Sequence, residues 1–189
     1  GHFSRLNIEY ATGFLGSNNT DDFLRATGQT TLYYTVYDQL VWANSLRGGY
    51  LQPLKTNNDG IRFDKKGFIL GGRSTVRGFE STEFFPNTDV LGASYRITGS
   101  SSYELFKSEF RFPLMKKSDL SAALFYDGGR VSIDDLASGI DYKAEWRDSV
   151  GIGIRYNLPI GPLNLEYAHK LNKKSYESDG AFHLSVGVF

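Results

Sequence analysis

The residue best placed to do directed electrostatic work is Arg77. It lies in the glycine-rich run Gly71-Gly72-Arg73-Ser74-Thr75-Val76-Arg77-Gly78-Phe79. A guanidinium presents a planar fork of N–H donors that suits a carboxylate. Neighbouring glycines let the backbone turn sharply and approach other groups closely. The chemistry expected here is an arginine–carboxylate contact rather than bond making. Other chemistries have less to work with. The chain has no cysteine, which excludes disulfides, thiolate catalysis and Cys-zinc sites. His2, His169 and His183 are scattered without metal-ligand spacing. A Ser/His/Asp hydrolase set would have to recruit His169 or His183 at one rim, and neither has an orienting partner visible in the sequence. No catalytic residue, metal or cofactor is expected.

The elements that must position Arg77 follow from composition and periodicity. The 189 residues suffice for one domain, and 21 basic against 21 acidic residues leave no electrostatic footprint for nucleic acid. No apolar run approaches the roughly 18 residues of a membrane helix. Twelve tyrosines, fourteen phenylalanines and 21 glycines suit a β protein. They also suit a barrel with aromatic girdles and a polar interior.

Alternation of period two recurs along the chain. It predicts strands over residues 3–14, 29–37, 40–51, 103–114, 120–127, 147–158, 163–169 and 181–189. Leu6, Ile8 and Tyr10 oppose Arg5, Asn7 and Glu9. Phe106, Phe110 and Phe112 oppose Lys107, Glu109 and Arg111. Val150, Ile152, Ile154 and Tyr156 oppose Ser149, Gly151, Gly153 and Arg155. Connections at 15–23, 53–100, 128–145 and 170–180 are long. Those at 38–39, 115–119 and 159–162 are short. This asymmetry is that of a transmembrane barrel with short periplasmic turns and longer outer loops. The fold class expected is therefore all-β, an antiparallel transmembrane β-barrel with about eight strands in this chain. One barrel domain covers 1–189, with a long loop at about 53–100. Residues 90–98 could begin the strand after that loop early or form a local segment. Phe125, Asp127 and Glu109 fall on the polar, inward face by alternation alone. Glu109 and Asp127 are either solvated lumen charges or partners for a loop that folds inward.

At these residues the chain resembles the BamA/TamA-type superfamily of outer-membrane insertases and translocases. Val76-Arg77-Gly78-Phe79 is similar to that family's loop motif. Phe125-Tyr126-Asp127-Gly128 resembles its lumen-facing strand motif, and Glu109 matches the acidic position on the strand after the long loop. Residues 151–167 resemble its penultimate hairpin. The resemblance covers nearly the whole chain and corresponds to the C-terminal half of the family's barrel. It implies that the long loop folds back into the lumen, where Arg77 would meet Asp127 and Glu109 with Phe125 packing beside it.

The resemblance also implies a mechanism without covalent chemistry, in which a weakly paired seam opens sideways and templates an incoming strand. The last strand is the expected seam, through Phe182, Leu184, Val186 and the terminal Phe189, with Gly187 weakening its end. Partners implied are the lipid bilayer and client outer-membrane or secreted polypeptides, and the implied location is the outer membrane of a Gram-negative bacterium. The family's barrel has about twice as many strands and is preceded by periplasmic repeat domains, neither of which is expected in this chain. An eight-stranded barrel has room inside only for its own side chains, so a loop this long needs a wider ring. The ring could be completed by a missing barrel half or by a second copy of the same chain, giving about sixteen strands. The alternatives from other classes are a small outer-membrane hydrolase or acyltransferase and a passive structural or adhesion barrel.

Overall fold

A computed structural model describes residues 1–15, 22–37, 39–54, 60–85, 96–115, 119–136, 140–143, 145–159 and 161–186. Eleven strands form one antiparallel sheet among the described residues: β1 (His2–Ala11), β2 (Phe23–Tyr37), β3 (Leu40–Pro53), β4 (Ile61–Arg62), β5 (Arg96–Ile97), β6 (Ser101–Pro113), β7 (Leu120–Leu136), β8 (Ile140–Lys143), β9 (Arg147–Leu158), β10 (Gly161–Lys170) and β11 (Gly180–Val186). Eight of these are long and lie in the order β1-β2-β3-β6-β7-β9-β10-β11. Each pairs with its neighbour in the path, so the chain meanders. Among the described residues the path is open: β1 and β11 are its two ends and do not pair with each other.

Alternation decides what each face meets. Leu6, Ile8, Tyr10, Leu46, Ile152, Ile154, Phe182 and Leu184 are exposed on one face. In β9 the neighbours that point the other way, Arg147 and Ser149, are buried. A sheet that turns its aliphatic side chains outward and its charged ones inward is inverted relative to a water-soluble protein. This is the arrangement of a barrel wall in lipid, where the lumen is the polar side. Among the described residues no helix is long and apolar enough to cross a membrane.

The inner face is not polar throughout. At the long-loop end the connection between β3 and β6 folds over the sheet and builds the protein's hydrophobic core. Phe63, Leu70, Val76, Phe79, Phe84 and Ile97 from the connection pack with Leu51, Leu105, Val131 and Ile133 from the strands, each no more than 2% exposed. Phe79 meets Phe84 edge to face at 5.7 Å, and Phe63 meets Phe85 in the same way at 5.4 Å. A fully buried side chain of this size contributes about 1.5–3 kcal/mol. The loop is thereby attached to the wall as a second layer, and short local elements shape it. A single helical turn, α1 (Phe63–Lys66), places Phe63, and a 3-10 turn at Ser81–Phe84 places Phe84. That turn is held by a reciprocal capping box between Glu80 and Glu83.

Several boundaries differ from the sequence expectation. The segment after Asp127, expected as part of a polar loop over 128–145, continues as strand to Leu136, and β8 pairs back onto it. Gly128-Gly129 and the acidic pair at 134–135 carry the composition of a turn. Val131 and Ile133, both fully buried against the loop, supply the apolar surface that keeps the segment extended. β2 begins at Phe23 rather than 29, with Phe23 paired to Pro53. Within the long connection, Arg96–Ile97 form the short strand β5, which pairs with β4 and touches Leu136. Residues 90–95 lie outside the described residues, as do Gly187 and Phe189 of the expected seam strand.

An outward aliphatic face in lipid has a direct consequence. Ile152 is 60% exposed near the middle of β9, so Ile152→Arg places a cation against hydrocarbon and is expected to cost about 2–4 kcal/mol. Denaturant unfolding of the protein folded into lipid vesicles measures this. An unchanged unfolding midpoint would place that face in water instead.

Candidate functional site

Four consecutive strands of the sheet, β6, β7, β9 and β10, converge on one loop residue, and β11 meets the residue after it. The register sets Glu109 on β6 opposite Phe125 on β7, and Lys107 opposite Asp127. It then sets Phe125 opposite Gly151 and Asp127 opposite Ser149 on β9, Gly153 opposite Glu166 on β10, and Glu166 opposite His183 on β11. The inward side chains of these positions form a diagonal band. The loop lays Arg77 across it.

Local backbone chemistry delivers Arg77 there. Gly71 and Gly72 have φ of 101° and 91°, in the left-handed region that glycine adopts without penalty. The Gly72 N–H donates to the Phe79 carbonyl at 2.7 Å and the Thr75 N–H to the Gly72 carbonyl at 3.2 Å, which closes residues 72–79 into a compact knot. Gly78, at φ 89°, sits so close to β10 that a Cβ there would lie 3.0 Å from Ala168 Cβ. Val76 and Phe79 anchor the knot in the core on either side of the arginine, at 0% and 1% exposure.

Arg77 itself is buried and satisfied on every side. Nε donates to Asp127 Oδ2 at 2.6 Å and Nη2 to Asp127 Oδ1 at 2.9 Å, a bidentate fork. Nη1 donates to Glu109 Oε2 at 3.0 Å and to Glu166 Oε1 at 2.9 Å. The backbone N–H of Arg77 reaches Asp127 Oδ2 at 3.2 Å, and Ser149 Oγ donates to its carbonyl at 2.6 Å. The guanidinium carbon stands 3.4 Å from the centre of the Phe125 ring, a cation–π stack. Gly151 makes room for that ring, since a Cβ there would lie 2.2 Å from Phe125 Cζ. Burial alone would push the Arg77 guanidinium below its ordinary value. The hydrogen bonds of Asp127 and the charges of Asp127, Glu109 and Glu166 outweigh it and hold the group above that value.

The band continues around this centre. Lys107 Nζ lies 3.4 Å from Asp127 Oδ2 and donates to the Arg73 carbonyl at 3.2 Å. Arg73 pairs with Glu166 at 3.4 Å, and Arg111 donates to Glu109 at 2.6 Å. On the far side, the Gly78 N–H donates to His183 Nε2 at 3.0 Å, which ties the loop to β11. Phe79 lies under two cations, Arg147 at 4.6 Å and Lys170 at 5.1 Å.

The structure thus brings together Val76, Arg77, Gly78 and Phe79 with Glu109, Phe125 and Asp127. Phe182, Leu184 and Val186 point outward and are exposed, away from this centre. Three contributors are not marked as partners of Arg77 by the sequence. Glu166 alternates with Leu165 and Tyr167 on β10 and is buried on the inner face, but its reach to Arg77 depends on a register across three strands that spacing does not reveal. Ser149 is likewise inward in the alternation. For His183 the sequence suggests only a hydrolase role. It accepts a loop N–H instead, and His169, outward on β10 and exposed, faces the other side of the sheet, so the two do not converge. Among the described residues no group of His, Cys, Asp and Glu could hold a metal ion.

Comparisons with known proteins point the same way. The sequence profile described as the Omp85 superfamily domain matches residues 1–189. The chain is 26% identical over 185 residues to outer membrane protein assembly factor BamA of Nitratidesulfovibrio vulgaris, covering 96% of this chain and 22% of that protein. It is 28% identical over 126 residues to the chloroplastic outer envelope protein 80 of Arabidopsis thaliana, covering 64% of this chain and 14% of that protein. Its fold is similar to the crystal structure of BamA from Haemophilus ducreyi lacking POTRA domains 1-3, with a TM-score of 0.58 and 16% identity, over 85% of this chain and 34% of that one. The chain spans about a fifth or less of the length of the curated relatives it matches.

Removing one partner of a buried, hydrogen-bonded charge pair strands the other. Arg77→Ala and Asp127→Asn are each expected to destabilise by about 3–5 kcal/mol, with the double variant costing clearly less than the sum. Glu166→Gln is expected to destabilise in the same sense. Unfolding in lipid vesicles, read as a double-mutant cycle, measures the coupling. Strictly additive losses would show that Arg77 and Asp127 do not act together. Gly151→Val, which displaces Phe125, is expected to weaken the same centre without altering any charge.

Proposed function

Because the chain belongs to the Omp85 superfamily, we infer that it is part of an outer-membrane barrel that assists the insertion or translocation of other polypeptides. Its wall would face the lipid bilayer, and its clients would be outer-membrane or secreted polypeptides. The long loop would sit in the lumen, latched by Arg77 to Asp127, Glu109 and Glu166. The observation that carries this reading is the link from the latch to the sheet end. Gly78 holds His183 on β11, and β11 pairs on one side only among the described residues.

The mechanism follows from what a sheet end can do. An unpaired edge offers a row of N–H and C=O groups to an incoming strand. Pairing by β-augmentation gives affinity through the main chain and tolerates many sequences, as a protein with varied clients requires. Phe182, Leu184 and Val186 project into lipid beside that edge, so a client strand would be exposed to the bilayer as it pairs. Loop and seam would share a mechanical state, since His183 sits on the strand that must move and its ring nitrogen holds the loop. Nothing in this scheme needs bond making, and the protein acts as a template rather than an enzyme. The ring would be completed at the free ends of β1 and β11 by further strands, either those of a longer chain or those of a second copy.

Photo-crosslinking in cells tests the seam. A benzoyl-phenylalanine probe at Leu184 is expected to capture client barrel polypeptides, whereas the same probe at Ile152, outward in mid-sheet, is expected to capture none. Equal capture at both positions, or none at Leu184 in a functional variant, would contradict a seam at β11. A disulfide formed between chains from Cys introduced at Ile8 and Val186 would identify a two-copy ring. Its absence under oxidising conditions would assign closure to other strands.

A further inference from the structure

The lumen beside the latch carries more positive charge than the latch uses. A cavity of about 750 Å³ opens below the loop. Its lining includes Arg47, Arg73, Arg77, Lys107, Arg111 and Arg155. Against these six cations stand the carboxylates of Glu109 and Glu166 in the lining and that of Asp127 beneath it, which Arg77 and Lys107 share. Three carboxylates hold the latch together and leave the wall of this cavity positive among the described residues.

Two of the cations, Arg47 and Arg155, form no ion pair with a carboxylate among the described residues. Arg47 on β3 donates from Nη1 to the Ser74 carbonyl at 3.2 Å, and its Nε is buried without a hydrogen-bond partner. Arg155 on β9 donates from Nε to Asn164 Oδ1 at 2.5 Å. The two reach the cavity from different strands, Arg47 on the loop side and Arg155 toward the short-turn end, where Tyr33 and Pro162 also line it. Guanidinium groups aimed into a partly enclosed, low-dielectric space attract counter-charge strongly. Rings of Arg and Lys are how membrane pores accept anions and phosphate.

We propose that this cavity is a binding site for a multivalent phosphate group, held between Arg47, Lys107, Arg111 and Arg155 below the loop latch. A single carboxylate would offset only one of the surplus charges. A phosphate monoester or diphosphate brings two or more, with several acceptor oxygens that match the guanidinium fork. The cavity is within the size range of small-ligand sites. The group could arrive as a lipid headgroup or as a free phosphate, since the chemistry recognised is the same. Occupancy would add negative charge next to Lys107 and Arg111, the neighbours of Asp127 and Glu109, and so would bear on the latch without touching it. The proposal does not depend on where the seam lies or on what the clients are.

The test uses inorganic pyrophosphate with the purified protein in neutral detergent micelles, by isothermal titration calorimetry at low ionic strength. Saturable binding is expected, and it should weaken as salt is raised. The paired variant Arg47→Gln/Arg155→Gln, checked for folding by its heat-dependent gel mobility, is expected to lose at least about ten-fold in affinity, since it removes two charge-assisted contacts. Arg130→Gln, an exposed cation paired with Glu104 outside the cavity, is expected to bind as the parent does. Competition by phosphatidic acid, a lipid whose headgroup is a phosphate monoester, added to the micelles would assign the site to a lipid headgroup, and binding indifferent to that lipid would assign it to free phosphate. No binding by the parent protein would overturn the proposal and would mean that other strands of the barrel supply the missing carboxylates. So would binding that the paired variant leaves unchanged.

Discussion

One guanidinium shared among three carboxylates fixes the relation between loop and wall. Arg77 takes Asp127 with two parallel hydrogen bonds and divides its remaining Nη1 between Glu109 and Glu166. These carboxylates sit on β7, β6 and β10, so a single side chain ties together strands that are not all neighbours in the sheet. In a site shielded from water such a centre is all-or-none. Complete, its charges and donors are satisfied, whereas losing one member leaves a buried charge without a partner. Electrostatics of this kind selects one loop position more sharply than apolar packing, which tolerates sliding.

The apolar core supplies what the ionic centre lacks. Val76 and Phe79 flank Arg77 and are fully buried, which brings the guanidinium to its partners already oriented. Gly78 and Gly151 serve the same centre by absence of side chain. One permits the loop to lie against Ala168, and the other leaves space for the Phe125 ring under the guanidinium. The outer face of the same strands does a different job with the same alternation, presenting Ile152, Ile154 and Leu184 to lipid. Wall and ionic centre are thus two readings of one period-two pattern, and a one-residue slip in any strand would invert both.

Much of this is legible in the sequence because a barrel strand declares both of its faces. The alternation puts Glu109, Phe125 and Asp127 on the inner side and Leu6, Ile152 and Leu184 on the outer, and the sheet has them there. The long and short connections alternate as read. Two things resist reading. Strand ends are obscured where the loop, rather than the neighbouring strand, buries the residues, as at Val131 and Ile133. Partners that depend on register are hidden as well. Glu166 and His183 are opposite one another across β10 and β11, yet nothing in their spacing from Arg77, 89 and 106 residues on, marks them as neighbours of the motif. The hydrophobic content of the loop itself, spread over Phe63, Phe68, Leu70, Val76, Phe79 and Phe84, follows no strand or helix period and declares itself only once packed.

Arg77 is expected to hold residues 71–85 against the wall as firmly as the strands hold one another. Hydrogen exchange of the protein embedded in lipid nanodiscs measures it most directly, by comparing the amides of Gly72, Arg77 and Gly78 with those of β7 and β9. Protection of these loop amides is expected to be comparable to that of the strands and to collapse in Arg77→Gln while the strands keep theirs. Exchange of the loop amides at the rate of an open loop in the unaltered protein would contradict it.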